Sequence, residues 1–257
     1  MQQIHRRVCA LPAALGLALF TCLEMASSSP AAPPDDDWHL QTSFNIWATS
    51  LDGKVGVRNL ESDVNVDFSD LFDKSAFAFN PVIELSKGDW VFGYMGSYSK
   101  LEDERTFDDG RGGAIDMYLG VFDFSLGYTL VRTQLGEMPF TFTPAVGAQV
   151  TYMKIELNPN NFDTLEDDKT WVDPYLAARV VLGITPTIDW RTQGTIGGFG
   201  VSSDLTWSVS SLIDWHFARK WSLNVGYRAV NWDYDKDDFK WDMTIHGPWI
   251  GFTHRWF

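Results

Sequence analysis

From Trp38 to the end of the chain, apolar and polar residues alternate with a period of two, segment after segment. Successive residues of a β-strand point to opposite faces, so each segment reads as a strand with one greasy face and one wet face. Trp38, Leu40, Thr42, Phe44 and Ile46 oppose His39, Gln41, Ser43 and Asn45, with Trp47 as the exception. Phe122, Phe124, Leu126 and Tyr128 oppose Asp123, Ser125, Gly127 and Thr129. The clearest segment sets Phe140, Phe142, Val146 and Val150 against Thr141, Thr143, Gly147 and Gln149. Similar segments start near Phe77, Trp90, Val172, Ile188, Trp207 and Trp221, and a last one runs from about Trp241 to Phe257 with no clear parity.

A water-soluble β-sandwich also alternates, and three features separate the two cases. The segments recur at about 9–12 residues, the length that crosses a bilayer at a tilt. Their connections alternate between tight turns (87–89, 185–187, 218–220) and longer polar stretches near 51–75, 101–113, 155–169 and 233–240. Aromatic residues gather at the segment ends. Trp38, Trp90, Phe140, Trp190, Trp215 and Trp221 form one expected girdle, and Tyr98, Tyr152, Trp171, Trp207 and Trp241 a second. Amphipathic rings are favoured where hydrocarbon meets headgroups. The expected fold is therefore all-β: a closed antiparallel transmembrane β-barrel of about ten strands, with 8 or 12 as alternatives. Short turns would face the periplasm and longer acidic loops the outside. Closure is required because an open edge in hydrocarbon leaves backbone groups unsatisfied at several kcal/mol each.

The N-terminal residues fit export. His5, Arg6 and Arg7 precede a nearly apolar run from Val8 to Leu23, followed by small residues around Ala26 to Ala31. This pattern reads as a signal peptide over 1–28, cleaved somewhere in 26–32. A flexible segment (29–37) and the barrel domain (38–257) follow. Both cysteines, Cys9 and Cys22, fall inside the signal, so the remainder has no disulfide and no thiolate metal site. Losing Arg6, Arg7 and Glu24 from totals of 20 basic and 34 acidic residues leaves 18 and 33, a net charge of −15. That balance disfavours nucleic acid as a partner.

Several motifs carry a family resemblance: Asp63-Val64-Asn65-Val66-Asp67-Phe68-Ser69-Asp70, Gly197-Gly198-Phe199-Gly200, Ser203-Asp204-Leu205-Thr206-Trp207, Gly226-Tyr227-Arg228, and Gly247-Pro248 followed by Gly251. In this order and spacing the chain resembles a family of proteobacterial outer-membrane β-barrel proteins. The resemblance spans most of the chain after the signal. It implies fold and outer-membrane location, and it carries no activity.

The inward parity holds Glu84, Asp123, Asp173, Arg179, Asp189, Arg191, Asp204, Asp214, His216 and Arg228. Mixed charges on neighbouring strands can pair into a polar plug, as buried charges must. The alternative is a lumen lined for solute passage, but a barrel of this size is largely filled by its own side chains. Phe68, Leu71 and Phe72 share one face at helical spacing, so a short helix there would constrict the mouth or lie on the rim. Asp233-x-Asp235-x-Asp237 opens like a calcium loop, yet Asp238 replaces the required Gly and Thr244 the bidentate Glu. No metal site or cofactor is expected. The expected partners are outer-membrane lipids and lipopolysaccharide, with divalent cations as bridges to the acidic loops, and the outer-membrane assembly machinery. No Ser, His and Asp fall at a recognisable catalytic spacing. The functional expectation is a structural barrel or a narrow passive pore for small solutes, with a membrane-embedded hydrolase acting on lipid A or another outer-membrane substrate as the alternative.

Overall fold

The computed structural model describes residues 36–57, 60–66, 78–106, 112–159, 165–236 and 239–257. The signal-peptide reading and Phe68, Leu71 and Phe72 therefore lie outside the described residues. The remainder is all-β: a closed antiparallel barrel of ten wall strands with extra strands extending it.

The wall runs in the order β1 (Trp38–Trp47), β4 (Ala78–Lys87), β5 (Trp90–Thr106), β6 (Gly112–Tyr128), β8 (Met138–Pro159), β9 (Leu165–Thr185), β10 (Ile188–Gly197), β11 (Leu205–Ala218), β12 (Trp221–Lys236) and β13 (Phe239–Arg255). It closes where β13 pairs antiparallel with β1. Of the extra strands, β2 (Ser50–Val57) carries β1 onward along β13, and β3 (Leu60–Val66) hairpins back onto β2. At the other end, β7 (Val131–Leu135) pairs with the first residues of β8.

Strand length divides the barrel into two ends. One end carries the tight turns, at 88–89, 136–137, 186–187 and 219–220. At the other, the acidic connections are themselves largely paired. β5 and β6 stay in register up to Thr106↔Gly112, β8 and β9 to Leu157↔Leu165, and β12 and β13 to Lys236↔Phe239. These stretches are tall hairpins because the ladder bonds continue through them. β10 and β11 are the short pair, joined by the bend at 198–204, where Gly198, Phe199 and Gly200 all adopt positive φ.

Register also sets the width. Direct partners followed around the wall from Gln41 lead to Met243, whereas β1 meets β13 through Gln41↔Arg255. The ladder thus returns displaced by 12 residues along β13 (255 against 243). Ten strands with that stagger tilt by roughly 40°, and they enclose a lumen narrow enough for side chains to fill. Outward residues such as Phe44, Phe92, Phe124, Val146, Leu176, Ile213 and Phe252 are exposed around the circumference.

Candidate functional site

The candidate site is the barrel interior, which falls into three levels. The level nearest the tight turns is ionic. Arg179 on β9 donates to Glu84 on β4 at 3.0 Å, across the lumen. Arg191 on β10 grips Asp214 on β11 through Nε and Nη2, at 2.9 and 2.8 Å. Arg255 donates to His216 Nδ1 at 2.9 Å, and His216 Nε2 lies 2.8 Å from Asp189. Arginine can only donate, so Nδ1 accepts and Nε2 is the donor to Asp189. All these carboxylates are buried, so each removal of charge from water is offset by a bonded partner.

The middle level mixes polar groups with tryptophan. Trp232 donates to Gln149 at 2.7 Å, and Gln149 donates to Asp123 at 3.0 Å, linking β12, β8 and β6. The Arg228 guanidinium lies 4.6 Å from the Trp47 ring centroid and 5.4 Å from that of Trp249. Such placement stabilises a buried cation through the ring quadrupoles. The two indoles are themselves pinned, Trp47 to the Gly247 carbonyl and Trp249 to Asn224. The upper level is apolar: Trp171, Tyr234, Phe239, Trp241, Met153 and Met243 are all buried there. Trp171 and Tyr234 stack at 4.6 Å between centroids.

The eight residues Glu84, Asp123, Asp173, Arg179, Asp189, Arg191, Asp214 and Arg228 are all buried. They do not form one network. Asp173 sits apart and accepts from the Ser203 backbone N–H (2.7 Å) and hydroxyl (2.6 Å), fastening the 198–204 bend to the wall. Asp204, assigned to the inward face from its parity, is exposed, because it falls in that bend, where the period of two breaks. Trp38, Trp90, Trp190, Trp215 and Trp221 are exposed on the outer wall near the tight turns, and Phe140 is half-buried there.

The second expected girdle needs correction. Tyr98 is exposed and Tyr152 and Trp207 are half-buried, but Trp171 and Trp241 point inward and are buried. Trp171 shares its parity with Asp173 and Arg179, so its face was readable. Trp241 belongs to the strand whose parity was unassigned; the structure turns its odd-numbered residues inward. Trp47, Trp249, Trp232 and Arg255 were missed as interior residues. Trp47 shares parity with Gln41 and Asn45, and that was the available signal.

A separate constellation lies on the outer wall. The Tyr227 hydroxyl is hydrogen-bonded to His246 Nδ1 at 2.7 Å, and His246 Nε2 lies 2.9 Å from Asp52. Asp52 in turn accepts from Asn65 at 2.6 Å. The chain crosses β12, β13, β2 and β3. Above it, toward the tall end, Asp233 and Asp242 are direct partners. Burial first, and then the charges of Asp242 and Asp204, push the Asp233 carboxyl above its ordinary range. Among the described residues, no group of three or more His, Cys, Asp or Glu could hold a metal ion.

No protein-family model matches the chain. No curated protein matches it either. Solved structures similar to it include the outer-membrane protease OmpT from Escherichia coli, with a TM-score of 0.46 and 9% identity over 89% of this chain and 100% of that one. Neisserial surface protein A gives 0.33 and 11%, covering 84% and 96%. The Pseudomonas putida toluene transporter TodX gives 0.28 and 8%, covering 88% and 93%. The likeness is one of barrel form at low identity and says nothing of activity.

Proposed function

We propose that this chain is a non-enzymatic β-barrel of a Gram-negative outer membrane whose lumen is closed at rest. It would serve as a structural component of that membrane, or as a narrow pore that opens only when its plug rearranges. The carrying observation is the filled interior, ionic at one end, tryptophan-lined in the middle and apolar above. A continuously exposed apolar wall supports the membrane location, since a water-soluble protein rarely leaves such a surface uncovered. Export by the N-terminal signal and insertion by the assembly machinery complete this reading. The acidic tall end would meet lipopolysaccharide phosphates through divalent cations. Planar-bilayer recording of the purified protein tests the closed lumen: wild type should pass little current, and Arg179→Ala should pass more. A large current insensitive to that substitution would mean an open channel and would contradict the proposal.

One observation favours a second reading, a hydrolase acting on an outer-membrane lipid. In the Tyr227–His246–Asp52 chain, a carboxylate orients an imidazole against a hydroxyl, the layout of an activated nucleophile or base. Ionisable groups on a membrane face call for a functional explanation. Mass spectra of lipid A from cells carrying wild type or His246→Ala decide the matter. Different acyl or phosphate patterns favour the hydrolase, and identical patterns leave the structural barrel.

A further inference from the structure

At the tight-turn end the lumen holds a matched set of charges around His216. Arg179, Arg191 and Arg255 stand against Glu84, Asp189 and Asp214, three of each sign, from β4, β9, β10, β11 and β13. The Arg132–Asp89 pair beside the turn adds one more of each. β12 turns the uncharged Ser222 and Asn224 to this level, and β1 turns Gln41 and, by the same parity, the half-buried His39. Arg179 holds Glu84, and Arg191 holds Asp214 through two nitrogens. Asp189, the direct partner of Asp214, is held by His216 Nε2. Arg255 donates to the other nitrogen of that ring, Nδ1.

His216 therefore bridges a carboxylate and a guanidinium, one nitrogen donating and the other accepting. That arrangement suits one protonation state only. Histidine is the side chain that changes charge between about pH 5 and 8, and an imidazolium has two donors and no acceptor. A proton on Nδ1 breaks the bond with Arg255 and sets two cations at hydrogen-bond distance. It also leaves the set with one positive charge in excess, and an unbalanced charge is costly when buried. The three carboxylates are already bonded to Arg179, Arg191 and His216, so Arg255 is the cation that can leave. Its backbone N–H donates to the Lys220 carbonyl at 2.9 Å, which keeps β13 in place while the half-buried side chain swings out to water.

We propose that His216 is an acid-operated latch of the ionic plug. With Nδ1 unprotonated it holds the Arg255 guanidinium in the lumen, and with Nδ1 protonated it releases that guanidinium at the tight-turn end. The latch names the contact that gives way when the plug rearranges, and it rests on the closed-lumen reading for its effect on passage.

The test is the loss of urea midpoint caused by Arg255→Met in lipid vesicles, measured at pH 7.5 and 5.0. With His216 present, the loss should be at least twice as large at pH 7.5, because at pH 5.0 the bond is already gone. In a His216→Gln background the loss should be the same at both pH values, since an amide can accept from Arg255 and donate to Asp189 at either. His39→Gln should behave as wild type; His246 and His254 lie on the outer-wall parity of β13. Equal losses at the two pH values with His216 present overturn the latch. A pH-dependent loss that persists in His216→Gln, or one abolished by His39→Gln, overturns it too. If Arg255→Met forms no barrel, the ring nitrogen resonances of wild-type His216 carry the test. Nδ1 should gain a proton between pH 7.5 and 5.0 as the Arg255 Nε–H resonance shifts, and an Nδ1 or Arg255 signal unchanged over that range overturns the latch. Bilayer current at pH 7.5 reports on the closed lumen alone, so failure of that reading shows separately from failure of the latch.

Discussion

The ion pair between Arg179 and Glu84 is the interaction on which the ionic plug can be tested most sharply. It joins β9 to β4 through the lumen at 3.0 Å, and both side chains are almost wholly buried, at 7% and 3% exposure. Removing one partner of such a pair leaves an uncompensated charge and typically costs about 3–5 kcal/mol. Arg191 and Arg255 also act on Glu84. They take over part of the compensation, so Arg179→Ala should fall near the lower bound, about 3 kcal/mol. Replacing both partners with methionine removes the stranded charge and should recover most of the loss, since apolar substitutes of similar volume are often neutral. The assay is urea unfolding in lipid vesicles, followed by tryptophan fluorescence. A loss below about 1 kcal/mol for Arg179→Ala would place the pair in the range of exposed ion pairs and refute the plug. A double variant no more stable than the single one would refute the reasoning about stranded charge.

Two further perturbations probe other parts of the barrel. The Tyr175 ring lies across Gly147, where any Cβ would collide with it, and its hydroxyl donates to the Phe124 carbonyl at 3.3 Å. Gly147→Ala should therefore cost about 1–3 kcal/mol in the same unfolding assay, and an unchanged midpoint would show that the ring is free to move. For orientation, an even number of wall strands leaves both wall ends on one side. Phe199→Cys, in the exposed bend at the tall end, should react with an impermeant maleimide on intact cells, while Gly88→Cys, in a tight turn, should not. The reverse pattern would invert the topology.

Much of this architecture was legible in the sequence because a barrel strand writes its two environments on alternate residues. Glu84, Asp123 and Arg179 on one parity and Phe92, Phe124 and Leu176 on the other made the wall readable strand by strand. The tight turns were legible for the same reason, as interruptions such as Lys87-Gly88-Asp89. The upper lumen was not. Toward the tall end the interior need not be polar: Trp171 looks like an interfacial aromatic although its parity with Asp173 points inward, and Trp241 lies on the strand whose parity was unassigned. Trp47 and Trp249 face inward among both polar and apolar side chains, and their rings hold the Arg228 guanidinium. Partner choice was hidden as well. Parity places Asp173 inside but cannot say that it holds Ser203 rather than an arginine, because that depends on how the 198–204 bend folds onto β9. The Tyr227–His246–Asp52 chain assembles residues from three strands, which the β12–β13 and β13–β2 pairings bring together.

A closed barrel embedded in the outer membrane is tested most directly by the gel mobility of the protein from fractionated cells. A closed barrel keeps its paired wall in mild detergent until heated. The protein should therefore partition with the outer membrane and run faster before boiling than after it. Equal mobility before and after boiling, together with recovery in the soluble fraction without detergent, would contradict the account.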